Sequence, residues 1–194
     1  MNSPLIGKSG VLCLAALACL LLPGCAKEAD EEIGEQEIER AQAALAPFKE
    51  QLQAALVGSL EQGPENAIDV CRIEAPRIAA SASTGGIRMG RTSHRLRNPD
   101  NALESWVEPI LAAYLEDPEA AAPRAVRLDE GTIGYVEPIR LHHYCLKCHG
   151  PSVEPELTAK IRELYPEDRA TDFRVGELRG VFWVTMPAGG GETG

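Results

Sequence analysis

The chain is short of positive charge: 19 Lys and Arg stand against 29 Asp and Glu, a formal net charge of −10. That deficit argues against nucleic acid and against an anionic membrane surface as partners. Long apolar runs are missing too. No stretch reaches the roughly 18 residues that a membrane-spanning helix needs. A second cysteine pair at zinc-finger spacing is absent, as are internal repeats and low-complexity tracts.

What is present is concentrated in five residues. Cys145-Leu146-Lys147-Cys148-His149 reads C-x-x-C-H, the attachment pattern of a c-type haem. Two thiols three positions apart can reach both vinyl groups of one porphyrin, and the adjacent His then supplies an axial nitrogen to the iron. A thioredoxin-like dithiol would open a helix in a βαβ setting, but this pair follows His142-His143-Tyr144 late in the chain. A zinc site would want further ligands.

Covalent haem attachment takes place outside the cytoplasm, so an export signal is expected. Lys8 precedes an apolar run over residues 11–22, which suits a signal peptide. The run ends Leu22-Pro23-Gly24-Cys25, which resembles a bacterial lipobox. On that reading residues 1–24 are removed and Cys25 is lipidated, anchoring the protein to the cell envelope, facing the periplasm. The mature chain then carries 18 basic and 29 acidic residues, a net charge of −11. Cys13 and Cys19 leave with the signal, and only Cys71 lacks an assignment.

Residues 25–37 read as a charged tether, 38–187 as the haem domain and 188–194 as a disordered tail. Ile38, Ala41, Leu45, Phe48, Leu52, Leu56 and Leu60 mark one helical face, with Pro47 predicting a kink or break. A second helix opens at Pro64 or Glu65 and runs toward Ile78. It turns Ala67, Cys71 and Ile78 toward one face. Residues 87–95 read as a strand, and 102–115 as a helix that buries Trp106, Ile110, Leu111 and Tyr114. Strands at 125–128 and 132–140 flank the hairpin turn Asp129-Glu130-Gly131. A helix at 155–164 and a strand at 178–185 complete the list. Helices first and antiparallel strands after predict an α+β domain.

Several side chains could offer the iron a sixth ligand: Cys71, Met89, Met186, His94, His142 and His143. Met would suit an electron carrier. His142 and His143 lie too near Cys145 to reach the opposite face easily. Arg91 and Arg97 could pair with the haem propionates, because guanidinium matches carboxylate bidentately. No clear distal acid–base pair of the peroxidase kind is visible, so no enzyme activity is expected.

Four ordered blocks, Ala67-Ile68-Asp69-Val70-Cys71, Ala75-Pro76-Arg77-Ile78-Ala79, Gly90-Arg91-Thr92-Ser93 and Arg95-x-Arg97-Asn98-Pro99-x-Asn101, resemble the single-haem, PAS-like c-type sensor domain. That domain was first catalogued as one of unknown function. It occurs as lone exported proteins and as the input domain of some histidine kinases. Cys145-x-x-Cys148-His149-Gly150, Tyr165-Pro166-x-Asp168-x-Ala170 and Gly176-Glu177-Leu178-Arg179-Gly180 extend the likeness. Thr171-Asp172 stands where a Gly is usual. Trp106-Val107-Glu108 replaces the commoner tryptophan-glutamate pair, and Glu177 stands for an Asp. The resemblance implies a PAS-like antiparallel sheet flanked by helices, one covalent haem c, His149 as proximal ligand and Cys71 as the sixth ligand. A thiolate favours ferric iron and becomes a poorer partner on reduction. The expected function is therefore a redox or diatomic-gas sensor that signals to an envelope redox or signalling protein. The alternative is an electron-transfer cytochrome.

Overall fold

The computed structural model describes residues 33–189. The expected signal peptide, Cys25 and the last five residues lie outside the described part. Helix α1, Glu35–Glu61, begins inside the charged stretch. Glu37 there pairs with Arg127 at 3.7 Å and accepts the Gly189 amide at 2.9 Å. Ala41, Leu45, Phe48 and Leu52 are its buried stripe, at the three- and four-residue steps of one helical face. The helix continues through Pro47. One missing amide hydrogen bond there is outweighed by the packing of Leu45, Phe48 and Leu52 on both sides of it.

The second helical stretch has three parts. α2 is Pro64–Asp69, a π-turn covers Val70–Glu74, and α3 is Ala75–Ala82. Strand β1 is Arg88–Thr92, β2 Arg124–Asp129, β3 Thr132–Arg140 and β4 Leu178–Pro187. They form one antiparallel sheet in the order β1-β4-β3-β2. Asp129 Oδ1 accepts the Gly131 amide at 2.8 Å and closes the expected β2–β3 hairpin.

Alternation along the strands makes two apolar faces. Met89, Ile133, Tyr135, Val184 and Met186 pack against α1 and α3. Val136, Val181 and Trp183 pack against Val107, Ile110, Leu111 and Tyr114. The last three belong to α4, Glu108–Glu116, which starts six residues later than the sequence pattern predicts. Pro109 explains the shift: it lacks an amide hydrogen and so belongs in a first turn. Trp106 consequently lies before the helix and is only half-buried. Two further helices, α5 (Leu146–His149) and α6 (Pro155–Leu164), follow β3. The bounds of α6 and β3 match the sequence pattern. The fold is α+β, and among the described residues no helix is long and apolar enough to cross a membrane.

Candidate functional site

The C-x-x-C-H run folds as a 3₁₀ turn, His143–Cys145, that continues into α5. One helical turn separates the two thiols, so both face one side. Cys145, Cys148 and His149 all line a cavity of about 360 Å³, a volume within the ~300–1,000 Å³ of small-molecule sites. Cys145 packs on Leu141, Ala170 and Phe173, and Cys148 on Ile68, Leu157, Ile161 and Tyr165. Burial pushes both thiols upward in pKa. Gly150 ends α5, and a Cβ there would lie 2.6 Å from the Leu146 carbonyl oxygen. The chain beyond it is tied back by Phe173 N to His149 O at 2.9 Å and Asp172 N to Gly150 O at 3.2 Å.

His149 Nδ1 lies 2.7 Å from the carbonyl oxygen of Ala170. A carbonyl can only accept, so Nδ1 carries the ring proton and Nε2 keeps its lone pair. Burial first, then the charges of Arg179 and Arg97, hold this imidazole well below the ordinary histidine range. A neutral ring with Nε2 free and Nδ1–H anchored to a backbone carbonyl is the form that ligates a metal.

Cys71 lines the same cavity, from the π-turn. The geometry of that turn follows from Pro76. Ala75 N reaches back five residues to Val70 O, which widens the turn and relieves the clash between the Pro76 ring and the preceding carbonyls. The Cys71 carbonyl would next bond the amide of residue 76, but proline has none. Arg91 Nη2 takes that carbonyl instead, at 3.3 Å.

Three arginines gather here. Arg91, Arg97 and Arg179 all line the cavity. Arg97 Nη2 donates to Cys148 O at 2.6 Å and Ala170 O at 3.3 Å. It also pairs with Asp168 at 3.1 Å, the side chains being 10% and 6% exposed. Arg179 Nη1 donates to Arg95 O at 3.1 Å. The rest of the wall is largely apolar and includes Leu52, Leu56, Ile68 and Phe182.

The other candidate ligands separate clearly. Met89 and Met186 are buried in the core between α1 and the sheet, away from the cavity lining. His94 stands edge-on to Phe173 with ring centroids 5.9 Å apart, and His143 is exposed. His142 reaches the cavity wall and stacks on Tyr144 at 5.5 Å. Among the described residues, no three His, Cys, Asp or Glu gather to hold a bare metal ion. Sequence reasoning missed Arg179 and the Ala170 carbonyl, although both lie in blocks that carry the resemblance.

The arrangement is that of a PAS-like domain with a cavity lined by a thiol pair, an anchored imidazole and a third thiol. The profile of the Tll0287-like family matches residues 26–187, and the chain belongs to that family. Among solved structures it is similar to the cyanobacterial heme-protein Tll0287, at 25% identity and a TM-score of 0.59, over 79% of this chain and 96% of that one. A search of curated proteins finds no match.

Proposed function

We propose that this chain is an exported, lipid-anchored c-type haem protein that senses redox state or a diatomic gas at the bacterial cell envelope. The observation that carries the reading is the convergence of Cys145, Cys148, His149 and Cys71 on one cavity. The residues present fit such a group. The two thiols are spaced for thioether bonds, and His149 Nε2 is free to ligate. Arg97 Nε is buried without a partner, which suits an incoming propionate, and Arg91 stands beside it. A haem bound here supplies a one-electron couple and an iron that can take a diatomic ligand.

The chain's own residues supply the control. His149 is held rigidly by Ala170 and the Phe173 amide, so its side of the site is fixed. Cys71 sits in a π-turn, a rare element often found at functional sites. With such a group bound, Cys71 would hold it from the π-turn and would favour its oxidised state, and release of Cys71 would leave that turn free to move. That gives a two-state element biased by redox state or by a competing gas. The signal then passes to an envelope redox or signalling partner. The family resemblance, together with the fold likeness to a solved haem protein, supports this reading. The apolar run at 11–22 and the Leu22-Pro23-Gly24-Cys25 sequence support export and lipidation.

Absorption and EPR spectra of the oxidised and reduced protein, with and without CO, test it. A ferric thiolate signature lost in Cys71→Ala, with CO binding to the reduced protein, is expected. A sixth ligand kept in both states, with no CO uptake, would instead indicate an electron-transfer cytochrome.

A further inference from the structure

Arg179 has a place in the fold that no sequence pattern announces. In the β3–β4 pairing Ile139 faces Gly180, while Arg140 faces Leu178. Arg179 is therefore the extra residue of a β-bulge, a device that re-aims a side chain. Gly180 makes the bulge possible. Its φ is +158°, and a Cβ there would meet the Thr92 carbonyl oxygen at 2.1 Å. The result is a guanidinium on the cavity wall beside Arg91 and Arg97.

The charges there do not balance. Asp168 is bound to Arg97. Neither Arg91 nor Arg179 has a carboxylate partner among the described residues, and their hydrogen bonds go to the carbonyls of Cys71 and Arg95. The nearby acids are engaged elsewhere: Glu137 with Lys49, and Glu177 with Arg95. Three guanidinium groups facing one carboxylate leave two positive charges uncompensated in a partly desolvated wall. Burial first, then the Arg91 and Arg97 charges, pushes Arg179 down to about 9. Each guanidinium is already fixed by a backbone carbonyl, so the three are pre-organised to receive an anion.

We propose that Arg91, Arg97 and Arg179 form a clamp for two carboxylates of one ligand, with Arg179 as the member delivered by the bulge. Resting on the haem reading, these carboxylates are the two propionates, which match the excess charge. Held empty, the clamp repels itself and weakens the fold. Filled, it strengthens the fold.

The test uses the full chain in haem-free and haem-loaded forms. In the haem-free chain Arg179→Gln raises Tm, and in the loaded chain the same change lowers it. Arg91→Gln gives the same inversion and serves if R179Q does not fold. The haem-free wild-type chain binds haemin about ten- to a hundredfold more tightly than haemin dimethyl ester, the range for a charge-assisted pair. R179Q loses most of that preference. A haem-free Tm that falls in both variants, or equal binding of haemin and its diester by the wild-type chain, overturns the clamp while leaving the haem reading intact. No binding of either porphyrin by the haem-free chain also overturns the clamp, whereas the haem reading itself falls only if protein made in cells competent for cytochrome c maturation carries no haem.

Discussion

Arg91 satisfies the backbone carbonyl of Cys71, with Nη2 3.3 Å from the oxygen, because Pro76 cannot. The ligand-bearing turn is thus tied to the cavity wall through a side chain. Replacing Pro76 with Ala restores an amide at position 76 and permits ordinary α-helical register, releasing Arg91. P76A and Arg91→Gln should both shift the ferric absorption and EPR spectra of the loaded protein. Spectra unchanged in both variants would show that the turn does not position Cys71.

His149 and Arg97 share one acceptor, the Ala170 carbonyl. Arg97 also neutralises Asp168, which is 6% exposed. Arg97→Gln leaves that carboxylate buried and unpaired, a loss of about 3–5 kcal/mol. Adding Asp168→Asn should recover much of it. Urea unfolding of the two single variants and the double variant measures the coupling.

Gly180→Ala places a Cβ against the Thr92 carbonyl and strains the bulge. The expected loss is about 3 kcal/mol or more. Gly58→Ala, in α1 with nothing within 4 Å of the added Cβ, should instead gain about 0.5–1 kcal/mol. Thermal melts of both variants check the contrast.

Asp172 is the one described non-glycine residue with positive φ, +62°. The left-handed conformation explains why the family resemblance expects Gly near this position. Asp tolerates it better than most residues. Asp172→Gly should be neutral or stabilising, while Asp172→Val should cost roughly 1–2 kcal/mol, read by chemical denaturation.

Tyr135 is buried and donates to Glu137 at 3.1 Å. Burial pushes its hydroxyl up to about 12. A raised acid favours folding while neutral, so its contribution is intact below pH ~10. That contribution is lost as the pH rises from there through about 12. Alkaline unfolding followed by tyrosinate absorbance should start at higher pH in Tyr135→Phe.

Much of this was legible in the residues. The C-x-x-C-H spacing, the α1 stripe, the β2–β3 turn and the bounds of β3 and α6 follow from local pattern. Cys71 stood out because every other cysteine had an assignment. Arg179 did not, because a bulge is a register slip between strands whose sequences meet only on folding. The π-turn was hidden for a related reason. Pro76 reads locally as a helix punctuator, and its effect on the Cys71 carbonyl emerges only once Arg91 is brought alongside. The late start of α4 was readable from Pro109, but the apolar periodicity from Trp106 masked it.

The most direct test is mass spectrometry of the proteolytic fragment that spans Cys145 to His149, taken from protein made in cells competent for cytochrome c maturation. The account predicts one haem bound covalently to that fragment through both cysteines, with colour retained in acidified organic solvent. An unmodified fragment, with the colour extracted entirely, would contradict it.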